Sequence, residues 1–199
     1  MQRSCIGGRS VINDWFDGAE QWLSWNRKVL DIPGPVLDIG CAGWNWSRPF
    51  IGLKRVVGVD PLATAICGVE LRRAVVGPWS GSADLEVSAI NPDASGLIVS
   101  PEQTNTVRYP MLAISDLINE LRPAIVKINA EWAEYAILVS VAQPMAPHLA
   151  VSFHPTGEWG GGIDWVLIRW LEQWYESRPL SQEYGWWYFI EKDRANGDV

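Results

Sequence analysis

The fold is decided by the stretch Val36-Leu37-Asp38-Ile39-Gly40-Cys41-Ala42-Gly43, in which a short apolar run passes directly into a turn of small residues. The run over 36–39 is typical of a strand that is buried on both faces of a parallel sheet. Small residues in the turn let the backbone approach a ligand closely and point amide N–H groups at it. The stretch therefore predicts a buried strand with a ligand site at its carboxyl end.

A second stretch, Arg55-Val56-Val57-Gly58-Val59-Asp60, repeats this pattern and ends in a carboxylate twenty residues after Gly40. A carboxylate at the end of a second strand can accept both hydroxyls of a ribose. The two stretches together predict a site for a nucleoside-type cofactor. The alternative is that the glycines only ease packing and that Asp60 caps a helix before Pro61.

Apolar runs and helical periodicity continue along the rest of the chain. Strands are predicted over 73–76, 124–128, 149–153 and 186–190, and helices over 14–30, 114–121, 133–141 and 165–175. Residues 77–110 are broken by Gly, Ser, Asn and Pro and are predicted to form hairpins and loops. Strands separated by crossover lengths are typical of βαβ units, so we expect an α/β fold.

The composition indicates one folded domain, since the chain has 199 residues, of which 48% are hydrophobic and 20% charged. Within this domain we expect a helical extension over 1–33, a cofactor-binding core over 36–155 and a Trp-rich part over 156–199. Thirteen tryptophans are present. A surplus of indole rings either fills a core or lines a surface on which flat ligands stack.

Charge and cysteine content exclude several classes of function. Lys and Arg number 16 against 23 Asp and Glu, which gives a net charge of −7 and disfavours nucleic acid and anionic membranes as partners. Three scattered cysteines and two histidines argue against a disulfide framework and against a metal site. No apolar run reaches the roughly 18 residues of a membrane span, and the N-terminus lacks the apolar core of a signal peptide. We therefore expect a cytoplasmic protein.

The spacing of the small residues narrows the class of cofactor. A dinucleotide site has three glycines spaced to admit a pyrophosphate, whereas this turn has Gly40, Ala42 and Gly43, followed by the bulky Trp44. A cofactor without a pyrophosphate is easier to accommodate. The stretches 36–43 and 57–60 resemble the first two motifs of class I methyltransferases, which bind S-adenosylmethionine.

A third block, residues 125–138, resembles the signature of FkbM-type methyltransferases, usually written K-I-D-x-E-G-A-E followed by an aliphatic stretch. The positions in register are Lys127, Ile128, Glu131, Ala133, Glu134 and Leu138. The resemblance extends over about 36–155. It implies a Rossmann-like class I methyltransferase fold, with a single mostly parallel sheet, flanking helices and a C-terminal antiparallel strand.

The resemblance also implies a cofactor and a set of residues that hold it. S-adenosylmethionine is the expected cofactor, and a hydroxyl of a sugar or another small natural product is the expected methyl acceptor. The glycine turn is expected to face the methionine part of the cofactor, Asp60 its ribose, and the stretch around 74–76 its adenine. The expected cofactor-binding residues are Asp38, Gly40, Cys41, Ala42, Gly43, Asp60, Pro61, Ala74, Val75 and Asn129.

This sequence departs from the FkbM signature at two positions. Asn129 stands in place of the aspartate of the signature, which removes a negative charge and a proton acceptor. Trp132 stands in place of its glycine, and Trp44 adds a second large ring beside the cofactor turn. We therefore expect a pocket of different shape.

Three residues are candidates for handling the methyl acceptor. Lys127 lies in a strand that should be buried, so it needs a carboxylate partner, and Glu131 and Glu134 are the nearest in sequence. His154 ends a predicted strand at the same edge of the sheet and has the ordinary pKa of a general base near neutral pH. His148, by contrast, is predicted to be a loop residue, and Cys41 a small packing residue. The predicted catalytic residues are His154, Lys127 and Glu131.

Two alternatives to a small-molecule O-methyltransferase stay open. The stretch 38–42 with Trp46-Ser47 also resembles the cofactor turn of FtsJ-type RNA 2′-O-methyltransferases, which use a Lys–Asp–Lys–Glu tetrad. Only Lys127 of the four lysines can be placed in such a tetrad. The second alternative is a catalytically inactive domain that binds the cofactor or a partner, which Asn129 and Trp132 would explain.

Overall fold

The computed structural model describes residues 27–87, 105–131, 133–154, 163–181 and 185–192. The strands are β1 (Val36–Ile39), β2 (Val56–Val59), β3 (Val69–Arg72), β4 (Val75–Gly77), β5 (Gly81–Val87), β6 (Asn105–Ala113), β7 (Ile125–Ile128), β8 (His148–Ser152), β9 (Tyr175–Ser181) and β10 (Trp186–Glu191). The α-helices are α1 (Ile114–Leu121), α2 (Glu134–Val139) and α3 (Ile163–Leu171), and short 3-10 helices span Arg27–Leu30 and Arg48–Phe50.

Seven strands form the main sheet, in the order β3-β2-β1-β7-β8-β10-β9. The first five of these are parallel, and β10 runs antiparallel to both β8 and β9. From β1 the chain builds the sheet outward through β2 and β3 and then returns to the other side of β1 with β7. The strand order and the antiparallel strand β10 confirm the expected Rossmann-like fold, with a mostly parallel sheet and a C-terminal antiparallel strand.

The reversal of strand order between β1 and β7 fixes where a ligand can bind. In an open α/β sheet the crossover connections diverge at such a point and leave a crevice outside the carboxyl ends of the two strands. The turn over 40–43 follows β1, and Asn129 follows β7. Both segments therefore border this crevice.

A second sheet of three strands, in the order β4-β6-β5, contradicts the prediction of a single sheet. The strand predicted over 73–76 belongs to this sheet as β4, while the third strand of the main sheet is β3, Val69–Arg72. Edge strand β3 escaped prediction because its apolar residues alternate with Glu70 and Arg72, which form an ion pair of 3.0 Å. Such a strand shows no continuous apolar run.

The main sheet is buried on both faces, which explains the uninterrupted apolar runs of its central strands. All residues of β1, β2, β7 and β8 are buried. One face, with Leu37 and Ile39, packs against the cluster that includes α1, α2 and α3. The other face, with Val36, Val56 and Tyr188, packs against Trp44, Trp46 and Phe50.

Two further predictions are corrected by tertiary contacts. The helix predicted over 165–175 ends at Leu171, and Tyr175 begins strand β9. The buried Tyr175 hydroxyl donates to the carbonyl oxygen of Ala146, a contact that no local pattern signals. His148 begins strand β8 and its ring is hydrogen-bonded to Tyr188, so it is not a loop residue.

Most of the helix predicted over 14–30 lies outside the described residues, as does part of the predicted loop region 77–110. The described part of that region forms the antiparallel hairpin of β5 and β6. In the part of the chain that the structure describes, no helix is long and apolar enough to cross a membrane.

Replacing Gly40 by alanine is expected to destabilise the fold strongly. Gly40 has a φ of +70°, and a Cβ there would lie 1.7 Å from the carbonyl oxygen of Asn129. A non-glycine residue in the left-handed region costs about 1–3 kcal/mol, and the displaced backbone adds to that. We expect the free energy of unfolding of Gly40→Ala, measured in urea, to fall by about 3 kcal/mol or more.

The matched control is Gly43→Ala, three residues further along the same turn. A Cβ at Gly43 would meet nothing closer than 3.7 Å, so its unfolding free energy should stay within about 1 kcal/mol of the parent. Equal stability of the two variants would show that Gly40 is not pressed against β7.

Candidate functional site

A cavity of about 390 Å³ lies at the carboxyl ends of β1, β2 and β7, where the strand order reverses. This volume is in the range of small-molecule sites, about 300–1,000 Å³. Eight of the ten residues predicted to bind a cofactor line the cavity, namely Gly40, Ala42, Gly43, Asp60, Pro61, Ala74, Val75 and Asn129. The structure therefore gathers most of the predicted site at the predicted edge of the sheet.

Cys41, one of the two predicted residues that do not line the cavity, packs beneath the turn. A Cβ at Gly58 of β2 would lie 2.8 Å from its Sγ atom. Burial raises the pKa of the Cys41 thiol, and the carboxylates of Asp38 and Asp60 raise it further. Both effects disfavour a thiolate, which agrees with the prediction that Cys41 is a packing residue.

Asp38, the second such residue, forms a buried ion pair with Lys127. The Lys127 Nζ lies 2.9 Å from Asp38 Oδ1 and donates to the carbonyl oxygen of Gly40 at 2.5 Å. The prediction that Glu131 or Glu134 is the carboxylate partner of Lys127 is wrong, because β1 and β7 are paired in a register that sets Asp38 beside Lys127. Lys127 therefore supports the turn from below instead of lining the cavity.

Asp60 ties the loop after β2 to the turn after β1. Its Oδ1 accepts from the backbone N–H groups of Leu62 and Ala63, at 2.7 and 2.8 Å, and its Oδ2 accepts from that of Ala42 at 2.9 Å. A carboxylate offers about four lone-pair positions, so these bonds leave about one. No helix follows Asp60 in the described segment 61–68, so the alternative of a helix cap is wrong; Asp60 instead holds the backbone of the loop after β2 and borders the cavity.

Trp44 forms a wall of the cavity, as its position after the turn predicted. The side chain is buried, and the tip of its ring lies against Gly58, where a Cβ would come within 2.3 Å. Its indole N–H donates to the carbonyl oxygen of Thr64 at 2.7 Å. Trp44 therefore fixes the loop over 61–66. Trp132, the other departure from the signature, lies outside the described residues.

Backbone strain is concentrated around the cavity. Four described non-glycine residues have a positive φ, and three of them, Ala42, Trp44 and Glu131, line the cavity. Each such residue costs about 1–3 kcal/mol and persists only where the surrounding contacts enforce it. This distribution is typical of a site whose shape matters to function.

His154 lies between two carboxylates at one side of the cavity. Its Nδ1 is 2.9 Å from Oε1 of the buried Glu134, and its Nε2 is 3.4 Å from Oε1 of Glu131. Of these three residues only Glu131 lines the cavity, and its side chain is partly exposed, so we place it at the rim. Burial lowers the pKa of the imidazole, but the hydrogen bond and charge of Glu134 and the charge of Glu131 outweigh it and raise the pKa above 6.5.

The charge of the lining is one-sided. Among the described residues that line the cavity, Asp60 and Glu131 are acidic and none is Lys, Arg or His. A phosphate or pyrophosphate would meet repulsion and no cationic partner. The cavity is suited to a cationic or neutral ligand with an apolar part, for which Val59, Ala74, Val75 and Val76 provide an aliphatic surface.

Some lining residues have no signal in the sequence. Leu85 reaches the cavity from the second sheet, and Leu62, Thr64 and Ile66 do so from the loop after β2. The sequence places that loop directly after the second predicted strand, which indicates that its residues lie near the site. Leu85 reaches the cavity only because of the second sheet, which was not predicted. Glu134 is in the recognised block, but its contact with His154 follows from the pairing of β7 and β8.

The fold and the cavity define a Rossmann-like α/β domain with a small-molecule site at its switch point. No protein-family model and no curated protein matches the chain. Among solved structures, the chain is similar to methyltransferase FkbM from Methylobacillus flagellatus KT, with a TM-score of 0.48 and 14% identity over 79% of this chain and 43% of the other.

The chain is also similar to the 16S rRNA methyltransferase RmtF, solved in complex with S-adenosyl-L-homocysteine, with a TM-score of 0.40 and 14% identity. That similarity covers 87% of this chain and 62% of the other. The chain therefore spans less than two thirds of either structure. Both of those proteins are methyltransferases.

Replacing one partner of the buried ion pair is expected to lower the free energy of unfolding more than replacing both partners does. Lys127→Met leaves the Asp38 carboxylate buried without its cation, which costs about 3–5 kcal/mol. The double variant Lys127→Met/Asp38→Asn should be less destabilised than the sum of the two single variants, by about 1–3 kcal/mol. Urea unfolding of the four proteins measures this coupling, and strictly additive changes would refute the ion pair.

Proposed function

We propose that the chain binds S-adenosylmethionine in this cavity and transfers its methyl group to a hydroxyl oxygen of a sugar or another small natural product. The observation that carries the proposal is the lining of the cavity, which has two carboxylates and, within the described part of the chain, no basic side chain. The cavity also follows a glycine turn at the switch point of a methyltransferase-type sheet.

The residues present fit this cofactor. S-adenosylmethionine carries a sulfonium and an ammonium against a single carboxylate, so its net charge is positive and complements Asp60 and Glu131. The buried Oδ1 of Asn129 accepts no hydrogen bond from the described residues and could accept one from the ammonium. The aliphatic surface around Ala74 and Val75 would take the adenine.

The chain's own residues would handle the acceptor. When bound, the cofactor supplies an electrophilic methyl group on its sulfonium. The protein then has to align the acceptor and remove a proton. His154 is the proposed proton acceptor, Glu131 at the rim would hold the acceptor hydroxyl, and Lys127 acts indirectly by supporting the Gly40 carbonyl.

The RNA alternative has less support. All four lysines lie among the described residues, and none lines the cavity. Lys127, the one lysine that could be placed in the tetrad, is buried in the ion pair with Asp38. Together with the net charge of −7, this favours a neutral acceptor over a polyanion.

An inactive domain is the remaining alternative. Both an inactive domain and an active enzyme could bind the cofactor, so cofactor binding has to be measured together with methyl transfer to distinguish them. Asn129 removes the acid of the signature, but His154 still offers a proton acceptor beside the rim. Cofactor binding without transfer to any acceptor would favour the inactive domain.

Filling the mouth of the cavity should weaken cofactor binding without unfolding the protein. Gly43 lines the cavity, and a Cβ there would meet the Asn45 side chain, at 3.7–3.9 Å, so Gly43→Phe places a ring there without a clash at the Cβ position. Overpacking of about 1–3 kcal/mol corresponds to a loss of about 5- to 150-fold in the affinity for S-adenosylmethionine. Isothermal titration calorimetry measures this loss.

The matched control is Gly81→Phe, because Gly81 is exposed in β5 and does not line the cavity. Its affinity should equal that of the parent. The parent should bind S-adenosylmethionine and S-adenosylhomocysteine but not NAD, whose pyrophosphate would face Asp60 and Glu131 with no basic side chain among the described residues of the lining. Absence of heat with folded protein at millimolar S-adenosylmethionine, or tight binding of NAD, would refute the proposal.

Methyl transfer should depend on the protonation of His154. Because the pKa of its ring lies above 6.5, the base is mostly protonated below that pKa, and the rate should rise as the pH passes through it. His154→Gln should lower kcat by about 10²–10⁴-fold and leave cofactor affinity unchanged. Transfer of a radiolabelled methyl group to neutral saccharides and to structured RNA, from pH 5.5 to 9, measures both effects. Preferential transfer to RNA would support the alternative enzyme.

A further inference from the structure

We infer that Glu134 is a positioning residue that holds the ring of His154 with Nδ1 protonated and Nε2 facing the rim of the cavity. The inference rests on the proposed function and deepens it by naming the residue through which the proton acceptor is set. Neither the sequence motifs nor the cavity lining assigned this role to Glu134.

The first step is the geometry around Glu134. Glu134 is the first residue of helix α2, and its side chain is fully buried. Its Oε1 accepts a hydrogen bond from the backbone N–H of Ala130 at 2.8 Å. The same oxygen lies 2.9 Å from His154 Nδ1. The next residue, Tyr135, donates its hydroxyl to the carbonyl oxygen of His154 at 3.0 Å. Two consecutive residues of α2 therefore hold both the side chain and the backbone of His154.

The second step is the tautomer. A carboxylate only accepts hydrogen bonds, so the nitrogen that faces Glu134 must carry a proton. Nδ1 is that nitrogen. Nε2 also faces a carboxylate, that of Glu131, but at 3.4 Å instead of 2.9 Å and with a partly exposed partner. The single proton of the neutral ring is therefore placed on Nδ1, and Nε2 is the site that takes up the second proton. Nε2 lies 3.4 Å from Oε1 of Glu131, a residue that lines the cavity, so the basic nitrogen faces the rim.

The third step is the charge. A glutamine at position 134 could accept both hydrogen bonds that Oε1 now accepts, and Oε2 has no hydrogen-bond partner among the described residues. Burying a carboxylate is costly, so packing alone does not account for the charge. The charge matters when the ring becomes positive, because a buried anion beside Nδ1 stabilises the imidazolium.

In this arrangement one proton moves, from the acceptor hydroxyl to Nε2 of His154. The O–H bond of the acceptor would break as its oxygen gained the methyl group, the bond between that methyl group and the sulfonium sulfur would break to leave a neutral thioether, and the proton would pass to Nε2. Nδ1 keeps its own proton, and Glu134 stays ionised throughout. The imidazolium afterwards releases the Nε2 proton to solvent. Glu134 and Glu131 raise the pKa of the ring, while burial and the charge of Lys127 lower it.

The test compares Glu134→Gln with Glu172→Gln in the full chain. Glu172 also carries hydrogen bonds, from Ser177 and Arg169, but it neither lines the cavity nor contacts His154. Titration by NMR of ¹⁵N-labelled histidine reports tautomer and pKa directly, and the chain has only two histidines to assign. Methyl transfer and cofactor affinity are measured on the same proteins.

In the parent we expect the Nδ1–H tautomer at high pH and a His154 pKa above 6.5. Glu134→Gln should lower that pKa and lower kcat by roughly 10- to 100-fold, part of the about 10²–10⁴-fold that a general base supplies. Cofactor affinity and KM should change less than about twofold, and Glu172→Gln should match the parent. Glu134→Asp, which keeps the charge, should restore part of the pKa.

Three results would overturn the inference: the Nε2–H tautomer in the parent, an unchanged His154 pKa in Glu134→Gln, or an unchanged kcat in that variant. The measurement of the tautomer needs no variant, so it decides the matter even if Glu134→Gln does not fold. If the parent methylates no acceptor, the proposed function fails, while the tautomer and the pKa still decide whether Glu134 sets the ring.

Discussion

The contact between Gly40 and the backbone of Asn129 is the constraint on which the rest of the structure depends. The turn after β1 passes so close to the end of β7 that a side chain at residue 40 would overlap the Asn129 carbonyl oxygen. This approach is possible because β1 and β7 pair in register along their whole length. It brings the turn and the end of β7 to the same cavity, and so it defines the edge at which a ligand can bind.

The Lys127–Asp38 ion pair extends this constraint from below. It joins Asp38 of β1 to Lys127 of β7, and Lys127 also donates to the carbonyl oxygen of Gly40. The turn is therefore held by both strands. Asp60 holds the other side of the turn through the Ala42 N–H. The buried charges near the cavity thus act mainly on the backbone. The two carboxylates that border the cavity give it a negative character, which is the physical basis for proposing a cationic cofactor.

The proposed roles of the cofactor-binding and acceptor-handling residues follow from their positions in the sheet. Residues after β1 and β2 border the part of the cavity assigned to the cofactor, whereas the group of Glu131, Glu134 and His154 follows β7 and β8. Because β8 lies next to β7, His154 comes beside the rim without lining the cavity. Proton acceptance from that position is compatible with an acceptor that enters over the rim, next to the cofactor.

The sequence by itself determined the buried parallel strands, the small-residue turn after β1, the acidic end of β2 and the edge at which the site lies. Each of these leaves a local pattern: an apolar run, a cluster of small residues, a carboxylate at a fixed spacing. Only the tertiary structure decided the partner of Lys127, the strands β3 and β9, the second sheet with Leu85, and the contact of Glu134 with His154. These features depend on strand register and on contacts between residues far apart in the chain. Register is set by the packing of whole strands, and it therefore leaves no pattern around any single residue.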